Sequence, residues 1–187
     1  DTVGPVVSAP ADITVAAVDA NGTPATDAAI SAFLSSASAV DAGDGVVSVA
    51  NDAPDVFPIG ATTVTFSAVD SLTNTGSSSA VVTVEDQTPP VITVEDATVA
   101  ATDASGTLAT AADIVAFLDS ATVEDNVDAN VTVTNDAPDA FPIGATVVTF
   151  TATDSSELTA TATATLTVSD LTAPVVTAPD AITVAAN

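Results

Sequence analysis

Apolar and polar residues alternate with a period of two along several stretches of this chain, the signature of strands with one buried and one exposed face. Thr62-Thr63-Val64-Thr65-Phe66-Ser67-Ala68-Val69 is the clearest, and residues 146–153 repeat it. Residues 80–85 and 161–168 read as closing strands, 46–50 and 131–134 as short inner strands, and 13–17 and 98–101 as opening strands. Clusters of Pro and Gly separate these segments, as turns require.

One stretch follows a different period. In residues 26–37, Ile30, Phe33, Leu34 and Ala37 fall at i, i+3, i+4 and i+7, which is one apolar face of a helix. Thr26 is the expected N-cap, and the acidic residue after it suits the helix dipole. Residues 110–121 keep the same face through Ile114, Phe117 and Leu118. The pattern predicts a small β-sandwich with one short helix packed on it, and predicts it twice.

The duplication is plain in the sequence itself. Residues 17–86 align without a gap to residues 101–170, with roughly 40 of 70 positions identical, which marks tandem copies of one unit. The run from Asn51 to Gly60 recurs from Asn135 to Gly144, and Phe33, Phe57 and Phe66 recur as Phe117, Phe141 and Phe150. A third copy begins at Leu171-Thr172-Ala173-Pro174-Val175-Val176 and runs to Asn187. The expected domains are 1–85, 86–169 and a partial third unit at 170–187. That last piece reads either as the opening strands of a further repeat in a longer array, or as a donor strand for a neighbouring subunit, since unpaired strands seek partners.

Composition sharpens the picture. The 187 residues include no Lys, Arg, His, Cys, Met, Trp or Tyr, and 25 Asp plus Glu give a formal net charge of −25. Yet 47% of the residues are apolar, enough small β-branched side chains to build cores, unlike a disordered acidic chain. No side chain can form a salt bridge with a carboxylate, so each carboxylate is solvated, hydrogen-bonded or neutralised from outside. Ca²⁺ is the natural neutraliser, because it takes six to eight oxygen ligands and this chain offers almost only oxygen. Nucleic acid is repelled as a partner. No apolar run is long enough for direct membrane insertion.

The junction Asp86-Gln87-Thr88-Pro89-Pro90-Val91, the turn Phe57-Pro58-Ile59-Gly60 and the strand ending Thr65-Phe66-Ser67-Ala68-Val69-Asp70 together resemble the HYR (hyalin repeat) module. They are also similar to the immunoglobulin-like tandem repeats of large bacterial surface adhesins. The resemblance covers nearly the whole chain. It implies a mainly β fold of tandem immunoglobulin-like β-sandwiches, extracellular placement at a cell surface, and roles in adhesion, often with calcium stiffening the array. Two departures stand out. The helix at 27–37 lies where a typical HYR unit has a strand, and the paired cysteines of many animal members are absent, which points to a bacterial version.

The implied topology brings the start of the chain, the B–C loop and the F–G loop to one end of each sandwich. In the second unit this gathers Asp125, Asp128 and Asp154 against the junction residues Glu85, Asp86 and Thr88. In the first it gathers Asp1, Asp41, Asp44 and Asp70, and Asp170 waits for a third unit. These residues are the expected Ca²⁺ ligands, and an ion held there would turn a hinge between units into a rod. The competing reading is that they cap turns through Asx hydrogen bonds and keep the surface soluble. For Asn51, Asp52 and Asp55 and their copies the turn reading leads. The Asp-x-x-Asp spacing is not that of an EF-hand.

The chain reads as non-enzymatic. Nucleophilic triads need His, Cys or Lys. A pair of glycosidase carboxylates also wants a concave pocket with aromatic platforms, and the six Phe all sit at core positions. Zinc and redox metals lack His and Cys ligands. The expected function is an extracellular structural and adhesive module, a calcium-stiffened spacer or filament block of a biofilm matrix or bacterial cell-surface fibre. Its partners would be neighbouring repeats or subunits, joined in part by strand addition. The alternative is a calcium-dependent glycan- or protein-binding adhesin module. Near-identical tandem units favour the spacer, because they build length rather than one distinct head.

Overall fold

The computed structural model describes residues 2–183. Asp1, one of the expected ligands, and the last residues of the third copy lie outside them. Two compact units emerge. The first holds Asp1–Thr93, Thr122–Thr134 and Thr151–Thr161, and the second holds Val94–Ala121, Asn135–Phe150 and Ala162–Asn187. The first unit therefore takes in the first sequence copy and two loop-bearing segments of the second.

In the first copy the order is β1 (Val6–Ser8), β2 (Ile13–Ala16), β3 (Thr23–Pro24), α1 (Ala28–Ser35), β4 (Ser38–Asp41), β5 (Gly45–Val47), β6 (Val49–Asn51), β7 (Val56–Phe57), β8 (Gly60–Val69) and β9 (Thr75–Glu85). The main sheet runs β2-β9-β8-β6, with β1-β4-β5 as a second sheet and β3-β7 as a two-stranded ribbon. The long hairpin β8–β9 pairs Val64 with Ala80 and Gly60 with Val84, which fixes the register. Strand β2 adds to β9 in parallel, Ile13 opposite Val82 and Val15 opposite Val84.

The period of two does what it predicts. Val64, Phe66 and Ala68 of β8 and Ala80, Val82 and Val84 of β9 are buried, and the threonines and serines between Val64 and Ala68 point outward. Helix α1 seals this face with Ile30 and Phe33, and the Phe33 ring meets Phe66 edge-on at 5.7 Å. Asp27 caps the helix instead of the expected Thr26, accepting hydrogen bonds from the Ala29 and Ile30 amides. Its carboxylate is the stronger acceptor, and its placement as the cap moves the acidic charge out of the first turn.

The second copy repeats the plan with β10 (Val91–Thr93), β11 (Ala97–Ala100), β12 (Thr107–Leu108), α2 (Ala112–Leu118), β13 (Thr122–Glu124), β14 (Thr132–Asn135), β15 (Ala140–Phe141), β16 (Gly144–Thr153) and β17 (Thr159–Ser169). Its sheets run β11-β17-β16-β14, β10-β13 and β12-β15. In the second unit Phe117 of α2 meets Phe150 edge-on at 5.8 Å. Helix α2 starts after Ala111 with no side-chain cap, where α1 has Asp27. The inner segment read as 46–50 is two short strands broken at Ser48, so that Val47 pairs with Ala39 in one sheet and Val49 with Ala68 in the other. Residues 170–183 form no strand and are exposed. The fold is an immunoglobulin-like β-sandwich repeated, with one short helix in each copy.

Candidate metal centre

Loops at the ends of β4, β8 and β9, and of their copies β13, β16 and β17, carry the aspartates. The clearest group is Asp86, Asp128 and Asp154, each offering a carboxylate oxygen that lies within 4.8 Å of the others. All three belong to the first compact unit. Asp154 is 7% exposed, held at the tip where β16 turns toward β17. Its Oδ1 accepts from the Ser156 amide at 2.9 Å and the Leu158 amide at 2.8 Å, while Oδ2 is buried and accepts from nothing. Asp86 repeats this division: Oδ1 takes the Thr88 amide at 3.1 Å and Oδ2 is buried without a partner.

Asp125 also has a buried, unpartnered Oδ2, while its Oδ1 ties down the loop through the Val127 and Asp128 amides, both at 2.8 Å. Asp128 is anchored to the facing turn by Ser155, whose amide donates to Oδ2 at 3.0 Å and whose hydroxyl donates to Oδ1 at 2.9 Å. The neighbouring Asn126 sends its amide to the Ala17 and Val18 carbonyl oxygens at 3.1 and 3.3 Å. Val127 packs against the apolar core of the first copy.

A buried carboxylate oxygen without a hydrogen-bond donor is costly, and like charges this close repel. No Lys, Arg or His exists to relieve them. The donor set is purely oxygen, which fits a hard divalent cation such as Ca²⁺ and does not fit zinc or copper. The unpartnered buried oxygens of Asp86 and Asp154, in one group with Asp128, are the physical feature such an ion would satisfy.

Asp41, Asp44 and Asp70 form the matching group in the first copy. Asp41 Oδ1 takes the Gly43 and Asp44 amides, and Asp44 takes the Ser71 amide and hydroxyl. Asp70 differs from its copy. Its Oδ1 accepts from the Leu72 and Asn74 amides, and its Oδ2 accepts from the Asn74 side-chain amide at 2.7 Å. Burial raises the Asp70 pKa, but the Asn74 side chain and the backbone amides of Asn74 and Leu72 outweigh it and hold the carboxyl below its ordinary value.

Among the expected ligands, then, Asp41, Asp44 and Asp70 come together, as do Asp86, Asp128 and Asp154. Asp125 sits in the same loop as Asp128. The Glu85 side chain is exposed and lies outside the group, while its carbonyl accepts the Ala17 amide at 2.7 Å. The Thr88 amide holds Asp86 in place. Asp170 is exposed and accepts from the Thr172 amide, at 3.0 Å. The sequence reading missed Ser71 and Ser155, although the Asp-Ser pair at 70–71 and 154–155 is one of the repeated dipeptides. It also missed Asp12 and Asp96, which reach across 69 residues to cap the Val81 and Thr165 amides at 2.7 Å. Asn51 caps its turn by accepting the Ala53 amide, as expected, whereas Asp52 reaches across 13 residues to accept the Thr65 amide of β8.

Residues 85–168 match the family model of the HYR domain. Hyalin of Lytechinus variegatus is 36% identical over 184 residues, an alignment covering 94% of this chain and 33% of that protein. The chain thus spans about a third of the length of this relative. Among solved structures, human protocadherin-24 EC1-2 superposes with a TM-score of 0.41 at 12% identity, covering 91% of this chain and all of that one. The extracellular cadherin domains 3–6 of protocadherin gamma B2 give 0.42 at 16% identity, covering 91% and 53%.

Proposed function

We propose, from the premise that this chain carries the HYR repeat, that it is an extracellular structural module of the adhesive kind, a spacer whose junction is stiffened by Ca²⁺. Residues Asp86, Asp125, Asp128 and Asp154 hold the ion. The observation that carries this reading is the set of three buried, unpartnered oxygens on Asp86, Asp125 and Asp154. The cation supplies the positive charge that the chain lacks. Asp86 lies on the segment leaving β9, and Asp125, Asp128 and Asp154 lie on loops of the second copy, so one ion ties the linker to both loops.

Glu85 and Thr88 contribute position rather than ligand oxygens. Asp41, Asp44 and Asp70, with Asp1 at the matching place in the sequence, form a second and weaker site at the front of the first copy. Asp170 opens the equivalent place for a following repeat. Residues 170–187 pair with a further repeat or with a neighbouring subunit by strand addition, so that copies of this module join into a filament of a cell-surface or biofilm type. The lack of His, Cys and Lys and the use of all six Phe in cores support a non-catalytic role. Among the described residues no helix is long and apolar enough to cross a membrane.

Thermal unfolding in EDTA, in millimolar Ca²⁺ and in Mg²⁺ tests the reading. A ligand selective for the folded state adds RT ln(1 + [L]/Kd), about 2.7 kcal/mol at 100 times Kd. A rise in Tm with Ca²⁺ that Mg²⁺ does not reproduce supports the clamp. Equal Tm in all three media overturns it, leaving the aspartates as turn caps.

A further inference from the structure

The two acidic groups come from copies of one sequence, yet their buried aspartates end differently. Asp70 Oδ2 receives the Asn74 side-chain amide at 2.7 Å. At the matching position in the second copy stands Leu158, which has no side-chain donor, and Asp154 Oδ2 is left buried and unpartnered. The turns are otherwise alike: residues 74 and 158 both donate their backbone amide to Oδ1 of the aspartate, at 2.7 and 2.8 Å. Thr73 and Glu157 both take positive φ, 69° and 65°.

Resting on the cation reading above, we infer that residue 74/158 sets the cation affinity of each group, so that the Asp154 group fills first and the Asp70 group is held in reserve by Asn74. For Asp70 to offer Oδ2 to an ion, the Asn74 bond must break or the ion must share the oxygen with an amide that points positive charge at it. Leu158 imposes no such competition. A side-chain amide already neutralises part of the charge the first group would present, whereas in the second group the buried oxygens of Asp86 and Asp154 have nothing but an external cation to satisfy them. The difference expected from one hydrogen bond to a charged group is about ten- to hundred-fold in Kd.

The test is Ca²⁺ calorimetry on the full chain with one group disabled at a time. Asp44→Asn with Asp70→Asn leaves the second group to be measured, and Asp128→Asn with Asp154→Asn leaves the first. On these backgrounds Leu158→Asn should weaken the second group about ten- to hundred-fold, and Asn74→Leu should tighten the first by a similar factor. Far-UV circular dichroism confirms that each variant folds, and both substituted side chains lie on half-buried turns rather than in the core. Ca²⁺ binding that neither substitution alters overturns this inference and leaves the clamp standing. Tighter binding by Leu158→Asn, or weaker binding by Asn74→Leu, also overturns it, because Asn would then be acting as a ligand through its own oxygen. No Ca²⁺ binding to the unsubstituted chain sinks the clamp itself.

Discussion

Asp154→Asn should reverse its effect on stability with the medium. In EDTA, Asp154 faces Asp86 and Asp128 with oxygens no more than 4.8 Å away. Each pair repels by about 3.5 kcal/mol at an effective dielectric near 20 and about 0.9 kcal/mol in bulk water. Asp86 and Asp128 are half-buried, so the true relief on removing one charge sits toward the low end of that bracket. Asn keeps an oxygen for the Ser156 and Leu158 amides but loses the charge assistance, roughly 1 kcal/mol against the variant. The net expectation in EDTA is a gain of about 1–2 kcal/mol, which is roughly 2–8 °C in Tm for a chain of this size. In saturating Ca²⁺ the same substitution removes a ligand, and the variant should melt below the unsubstituted protein. The control is Asp136→Asn, whose carboxylate caps the Thr149 amide at 2.7 Å and belongs to neither acidic group. It should lower Tm equally in both media. Differential scanning calorimetry in matched buffers reads all four values. If Asp154→Asn lowers Tm in EDTA and in Ca²⁺ by the same amount, as the control does, Asp154 is a turn cap and no more.

Phe66→Ala removes a fully buried ring that also meets Phe33, and should cost about 3–5 kcal/mol in urea unfolding. Gly22→Ala should be far worse than Gly60→Ala although both have positive φ, 112° and 103°. A Cβ at Gly22 would lie 1.9 Å from the Phe57 carbonyl oxygen, while at Gly60 it meets nothing within 4 Å, so Gly60→Ala should lose only the cost of a positive φ, about 1–2 kcal/mol, and Gly22→Ala should lose more by adding a backbone clash to it. Asn126→Ala deletes the amide bonded to the Ala17 and Val18 carbonyls and should cost about 0.5–1.5 kcal/mol by the same measurement. Asp70 is held below its ordinary pKa in the fold, so its contribution is present at neutral pH and is lost as pH falls through the folded value. Asp70→Asn should therefore flatten the acid limb of a stability–pH curve measured in EDTA.

The strands most legible in the sequence are those long enough to show a period. Residues 62–69 alternate over four cycles, and the structure buries Val64, Phe66 and Ala68 accordingly. The helix was legible because Ile30 and Phe33 are a turn apart, and both are buried. Strands β1, β3, β4, β7, β10, β12, β13 and β15 have only two to four residues and escape the sequence reading, whereas β2, β5, β6, β11 and β14, no longer than four, are legible only as Val-rich runs. Their pairing is decided by tertiary register, Val6 against Val40 and Val91 against Glu124, and not by local preference. The helix cap was misplaced by one residue because Thr26 and Asp27 are both good caps in sequence, and only the backbone angles at residue 27 select the second. The acidic groups were legible for another reason: a repeat plus a sandwich topology says which loops share an end. What topology cannot say is which oxygen is already satisfied, since that depends on single donors such as the Asn74 amide.

That last point bears on how a chain with no basic side chain folds at all. Its carboxylates are served by backbone N–H groups: Asp12 and Asp96 cap β9 and β17, Asp52 and Asp136 cap β8 and β16, and Asp19 and Asp103 close hairpins. Each such bond uses one oxygen and leaves the other facing water, where charge is cheap to keep. The exceptions are informative because they are not scattered. Among the described residues, the three buried side-chain oxygens without a donor belong to Asp86, Asp125 and Asp154, and Asp86 and Asp154 both lie in one group with Asp128. Random imperfections of packing would leave such oxygens in separate places, each relieved by a small shift toward solvent. Oxygens stranded together cannot all be relieved by a local shift, because each move that exposes one leaves its neighbours' repulsion in place. A single divalent ion held by Asp86, Asp128 and Asp154 would relieve both of the stranded oxygens in that group at once, and that clustering, more than the net charge of −25, is the argument for a cation there.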